Sequence, residues 1–186
     1  RITDDFWDEW KLLYAMFERA EKWCIHSGPG HWPDADMLPI GALRQCYSPE
    51  NWTNFTNDEL YTMMTLWCLL RSPLMIGGEM TKNDAFTLSL LTNKDALYAN
   101  QHGRNARPVK DEQGHIVWMS EGEDGRIFVG IFNTNEQEEE ITFCRKQFTD
   151  KQILSAKDVW KQESVPVDKR CFTVPAHGAV MLALEV

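Results

Sequence analysis

Apolar residues at 6, 7, 10, 13, 14, 17, 20 and 24 recur at the i, i+3, i+4, i+7 spacing of one helix face, with Glu18, Arg19 and Glu21 opposite. The spacing predicts an amphipathic helix over 6–24. "SGPGHWPDADMLPIG" then places three glycines and three prolines within 15 residues, so the helix must end and an irregular loop begin. Thr56 and Glu59 form a capping box ahead of "LYTMMTLWCLLRS", a second helix that stops before Pro73. "PLMIGG" is short, apolar and closed by glycines, as a buried strand would be, and "NDAFTLSLLTN" predicts a third, shorter helix.

After about Gly103 the period changes to two. Ile127, Val129 and Ile131 alternate with Phe128, Gly130 and Phe132, and Val180, Leu182, Leu184 and Val186 alternate with Ala179, Met181, Ala183 and Glu185. "GEDG", "NTNEQ" and "PAHG" supply the turns. Residues 104–186 therefore read as an all-β module, an antiparallel sandwich, and 1–103 as an α/β piece. The sandwich is expected to pack an apolar face on the third helix. The α/β piece shows one convincing strand, with short candidates at 23–25 and at the extreme start. It opens abruptly on Arg1, Asp4, Asp5, Trp7 and Trp10, where a free terminus is usually loose and polar, so it reads as a piece of a longer chain.

A net charge of −9, from 28 acidic against 19 basic residues, argues against a nucleic-acid partner. No apolar stretch of about 18 residues predicts a membrane span. Five cysteines and five histidines lack ligand or framework spacing, so neither a metal, a cofactor nor a disulfide scaffold is expected. Cys68 reads as a small buried thiol. Two Asn-x-Thr sequons, at Asn51 and Asn54, lean toward an exported protein.

The carboxylates admit two readings. Asp4 and Asp5 precede a helix, where Asp commonly caps, and Asp34 and Asp36 lie in a loop, where Asp commonly makes turns. Local preference alone favours these structural roles. The functional reading is that strand ends of a β/α barrel bring carboxylates to one mouth, where two of them flanking a glycosidic bond can cleave it. Eight tryptophans, several in loops, suit stacking on sugars, although Trp7, Trp10 and Trp67 fall on helical stripes and read as packing.

"RITDDFWDEW", "GPGHWPDADMLPIG", "MTLWCLLRSPLMIGGEM" and "LLTNKDALYANQ", in that order, resemble the C-terminal part of glycoside hydrolase family 27, the α-galactosidase/α-N-acetylgalactosaminidase group. The likeness is close over 1–102 and general over 104–186, where "KDVW" and "PAHGAVML" carry it. It implies the last βα units of a (β/α)₈ TIM barrel followed by a C-terminal antiparallel β-sandwich. Strand six would end at 1–3, helix six run over 7–24, strand seven over about 23–27, helix seven over 57–71, strand eight over 73–77 and helix eight over 84–92. A barrel needs about 250 residues, so roughly its last quarter to third would be present.

By the same resemblance Asp5 is the general acid/base, four residues after the sugar-binding Arg1, and Asp36 and Met37 line the sugar pocket. Asp34 would organise the loop. The family's nucleophilic Asp has no counterpart here and would lie upstream. Glu79 and His102 depart from the family's usual residues. The expected function is that of a retaining α-glycosidase acting on terminal α-galactosides or related sugars, inactive as this fragment alone. Its partners would be a carbohydrate substrate and the upstream part of the same barrel. A carbohydrate-binding protein of the same fold that has lost its nucleophile is the alternative.

Overall fold

The computed structural model describes residues 1–147 and 149–186, apart from the side chains at 111 and 145. The first helix, α1 (Trp10–Cys24), begins four residues later than its apolar stripe. The reason is tertiary. Phe6 turns into the core against Trp67 and Phe55, at ring-centroid distances of 5.0 and 6.1 Å, and its N–H donates to Asp36 Oδ2 at 2.8 Å. Trp7 consequently points outward, 52% exposed, instead of packing as the stripe predicts.

The capping box forms as expected. The Glu59 N–H donates to Thr56 Oγ1 at 3.2 Å and the Thr56 N–H to Glu59 Oε2 at 2.8 Å, opening α2 (Asn57–Leu70). This helix is apolar nearly all round and lies at the centre of the molecule. It ends at Arg71, in the left-handed region, just before Pro73. Among its side chains Cys68 is completely buried, and burial pushes its thiol pKa up to about 12. The short α3 (Ala85–Leu91) is capped by Asp84. A further helix, α4 (Lys94–His102), has no counterpart among the predicted elements; its start signal is Asn93, whose Oδ1 accepts from the N–H groups of Asp95 and Ala96.

None of the three strands expected ahead of Gly103, at 1–3, about 23–27 and 73–77, forms a ladder. Trp23 and Cys24 finish α1, and Ile25 is its C-cap. The 73–78 stretch is extended but makes a single parallel bridge, Leu38 to Ile76, with Met75 42% exposed.

The rest is β-structure: β1 (Gly103–Glu112), β2 (His115–Gly122), β3 (Ile127–Asn133), β4 (Glu139–Thr142), β5 (Ser155–Asp158), β6 (Glu163–Ser164), β7 (Cys171–Val174) and β8 (Ala179–Glu185). A six-stranded sheet runs β1-β2-β3-β8-β5-β6, a two-stranded sheet pairs β4 with β7, and the pairings are antiparallel. Val117, Val129, Ile131 and Leu182 on one face meet Ile141, Phe172 and Val174 of the small sheet. The opposite face, with Trp118, Phe128, Phe132 and Met181, joins the helical core. With apolar layers on both sides, β3 is buried at every position, which is why both of its alternating residue sets are apolar.

The sheet does not sit on the third helix as expected. It sits on α2, α4 and α1, with Phe17 of α1 edge-on to Phe132 at 5.0 Å, while α3 buries only Thr87 and Leu90. Polar ties across the contact include Trp160 Nε1 to Thr65 Oγ1 and Arg126 Nη1 to Asp95 Oδ1, both 2.8 Å. Sheet and α2 approach closely at Gly130, where a Cβ would lie 2.7 Å from Leu69 Cδ1 and from the Phe132 ring. Gly130→Ala is expected to cost about 1–3 kcal/mol through overpacking. The readout is the denaturation midpoint at unchanged denaturant slope; a midpoint equal to the parent's would mean that the sheet lifts off α2 without penalty.

Candidate active site

Three extended segments lie side by side in chain order. The Ile2 N–H donates to Asp34 O at 2.8 Å, joining 1–3 to 33–38. The Leu38 N–H donates to Met75 O at 2.7 Å and the Gly77 N–H to Leu38 O at 2.9 Å, joining 33–38 to 74–77. The middle segment therefore occupies the place of strand seven, about ten residues later than the 23–27 expected from the resemblance. Helix α1 runs into the predicted position and ends there at Cys24, and the Gly/Pro-rich loop 26–32 carries the chain back.

The ends of the first two segments converge on one guanidinium. Arg1 Nη1 donates to Asp36 Oδ2 at 2.8 Å and Nη2 to Asp5 Oδ1 at 3.0 Å. Lysine has no planar fork of donors to span two carboxylates in this way. The two acids differ in setting: the Asp36 side chain is 5% exposed and that of Asp5 68%. Burial alone would raise the Asp36 pKa, but the N–H groups of Phe6 and Met37 and the Arg1 guanidinium outweigh it and hold the group below the usual carboxylate value. Asp36 sits at φ 76°, in the left-handed region that Asp tolerates better than most residues, and Asp34 Oδ1 supports it by accepting its N–H at 2.8 Å. Met37, the next residue, is 49% exposed.

The capping reading of Asp5 has no support in this geometry. The N-cap of α1 is Glu9, which makes no side-chain cap bond, and Asp5 lies four positions before it. Arg1, Asp5 and Asp36 are thus brought into direct contact, with Met37 beside them. Glu79 and His102, the two departures, are engaged locally. Glu79 Oε1 accepts from the N–H and Oγ1 of Thr81, while His102 stacks on Tyr98 at 4.5 Å.

Sequence reasoning missed two supporting groups. Asp8, 4% exposed, accepts from both Arg44 Nη atoms at 2.8 and 3.0 Å and from the Asn54 N–H at 2.7 Å. Burial would raise its pKa, yet those donors lower it. This clamp fixes the 41–54 loop to the segment bearing Asp5, and no local spacing announces it because the partners are 36 residues apart. The second is His177, in the turn read only as "PAHG". Its ring stacks on Trp10 at 3.8 Å, its Nδ1 lies 3.0 Å from Glu59 Oε1, and its carbonyl accepts from Thr62 Oγ1 at 2.6 Å. A sandwich turn thereby braces the start of the helix that follows Asp5.

Strand ends that present an arginine and two aspartates to one another, followed by an antiparallel double sheet, define the closing part of a (β/α)₈ barrel with an appended β-sandwich domain. The chain belongs to the alpha-galactosidase A family, whose model matches residues 1–102; the model of the alpha-galactosidase C-terminal beta-sandwich domain matches 112–184. Among curated relatives, Alpha-galactosidase D of Emericella nidulans is 29% identical over 190 residues, covering 99% of this chain and 28% of that protein. Alpha-galactosidase 2 of Arabidopsis thaliana is 27% identical over 190 residues, covering 99% of this chain and 46% of that protein. Among solved structures, a GH27 β-L-arabinopyranosidase from Geobacillus stearothermophilus superposes with a TM-score of 0.91 at 44% identity, covering 99% of this chain and 44% of that one. The chain therefore spans less than half the length of these relatives.

Proposed function

We propose that this chain is the C-terminal portion of a retaining α-glycosidase that hydrolyses terminal α-galactosides or the closely related β-L-arabinopyranosides. Residues 1–103 complete the catalytic barrel and 104–186 form its sandwich domain. The observation that carries this reading is the Arg1 fork joining exposed Asp5 to buried Asp36 at the strand ends. Asp5 is the general acid/base: it protonates the leaving oxygen, then removes a proton from the water that releases the sugar. Arg1, Asp36 and Met37 bind the sugar. The nucleophile lies upstream, so the 186-residue chain alone is inactive.

Two sugars stay in view because the relatives' names point to both. An α-D-galactopyranoside and a β-L-arabinopyranoside share their ring stereochemistry and differ by one hydroxymethyl group. A structure of the Geobacillus enzyme in complex with arabinose supports a carbohydrate substrate. The test uses the complete enzyme containing these residues, assayed on aryl glycosides of both sugars, with the first-formed anomer followed by proton NMR. Hydrolysis with retention is expected. An inverted first product overturns the double displacement, and sugar binding without turnover supports the non-catalytic alternative.

A further inference from the structure

Asp5 belongs to a short segment that is fastened at two points. At Phe6 the backbone N–H donates to Asp36 Oδ2 at 2.8 Å, the same oxygen that accepts from Arg1 Nη1. At Asp8 the fastening is ionic. Asp8 Oδ1 accepts from Arg44 Nη1 at 2.8 Å, and Oδ2 accepts from Arg44 Nη2 at 3.0 Å and from the Asn54 N–H at 2.7 Å. Two parallel bonds from a planar fork fix the direction of a carboxylate as well as its distance.

The 41–54 loop that carries Arg44 is itself braced. The Ala42–Trp52 bridge and the Leu43 N–H donating to Asn51 O at 3.2 Å close its base. Thr53 ties it back to the end of the middle extended segment, its N–H donating to Gly41 O at 2.8 Å and its Oγ1 to Pro39 O at 2.7 Å. The Glu79 N–H, donating to Ala42 O at 2.8 Å, ties it to the chain after 74–77. Asp8 thus couples the segment bearing Asp5 to both neighbouring barrel units.

An ion pair is a costly way to build this joint. Asp8 is 4% exposed, and further chain packed here can only bury it more. Replacing a buried ion pair by apolar residues of like volume is often neutral or stabilising, and Phe6 already gives the segment an apolar anchor against Trp67. What apolar contact does not supply is direction. A general acid needs it, because it has to meet the departing oxygen within hydrogen-bond reach, and a misplacement of about 1 Å can cost about 10²-fold. Arg1 cannot serve alone, since the guanidinium that donates to Asp5 at 3.0 Å is also the group assigned to the sugar.

Resting on the function proposed above, we infer that Asp8 is a positioning residue for the general acid: its fork with Arg44 locks the backbone that bears Asp5 to the 41–54 loop, so that Asp5 keeps its place when Arg1 engages the sugar.

The complete enzyme is assayed on methyl α-galactoside, whose leaving oxygen must be protonated, and on an aryl α-galactoside of an acidic phenol, whose oxygen departs with little help. The matching β-L-arabinopyranosides replace them if these are cleaved better. The readout is the ratio of the two kcat/KM values in one preparation, in which any loss of folded protein cancels. Asp8→Asn and Arg44→Gln are each expected to lower that ratio by about three- to thirtyfold, a fraction of what general acid help supplies. Arg44→Lys, which keeps the charge and loses the fork, should fall between. In an Asp5→Asn background Asp8→Asn and Arg44→Gln should leave the ratio where Asp5→Asn alone puts it. A parental ratio in both single variants, or the same further fall in the Asp5→Asn background, overturns the positioning role and leaves the proposed reaction intact. Asp5→Asn with a parental ratio, or a parent that cleaves none of these glycosides, overturns the proposed function and the inference with it.

Discussion

Asp5→Asn in the complete enzyme should lower turnover of substrates with poor leaving groups by about 10²–10⁴-fold, the usual worth of general acid/base help. Aryl glycosides with acidic phenols should suffer far less in the first step, since their oxygen departs with little protonation. The substitution keeps the size of the side chain and leaves Oδ1 able to accept from Arg1, which now lies 3.0 Å away. Stability should barely change, because Asp5 is exposed and takes no part in capping α1. The measurement pairs kcat/KM on high- and low-pKa leaving groups with a melting curve. Near-parent turnover on the poor leaving group would remove Asp5 from the chemistry.

Asp36→Ala should damage both stability and sugar binding, and Asp36→Asn should separate the two. Alanine leaves the buried N–H of Phe6 without its 2.8 Å acceptor and must also adopt φ 76°. Orphaning a buried donor costs about 1–3 kcal/mol and the left-handed conformation about 1–2 kcal/mol more. Asparagine tolerates that conformation and can still accept from Phe6, so its stability should stay within about 1 kcal/mol of the parent's. It lacks the charge facing Arg1, so affinity for galactose-type ligands should fall in both variants.

Acid sharpens the same comparison. The folded-state pKa of Asp36 lies below its unfolded value, so its contribution is complete above the unfolded pKa of about 4 and fades as pH falls through the folded one. The stability gap between parent and Asp36→Ala should therefore be constant near neutrality and narrow below about pH 4. A gap independent of pH down to acid unfolding would show that Asp36 gives no charge-dependent support. Calorimetric melts over a pH series, with isothermal titration of the free sugar, read all of this.

Residues close in sequence carried most of what could be read in advance. The Thr56–Glu59 box, the stop before Pro73 and the period-two strands depend on neighbours within a few positions, and each appears in the structure. The ordered motifs suffice to place the chain in its family, and the resemblance they carry points to Arg1, Asp5, Asp36 and Met37. Tertiary contacts decided the rest. Phe6 left the helical stripe for the core because Trp67 and Phe55 offered it a pocket and Asp36 accepted its N–H. The middle extended segment fell at 33–38 because Asp34 and Leu38 are the residues that reach Ile2 and Met75 across the chain. The sheet lies on α2 and α4 and not on α3: α2 is buried along nearly its whole length and meets the sheet and the other helices at once, while α4 turns the small, buried Ala96 and Ala99 inward. The Asp8–Arg44 clamp and the His177–Trp10 stack join residues 36 and 167 positions apart, distances over which a single sequence carries no periodic signal.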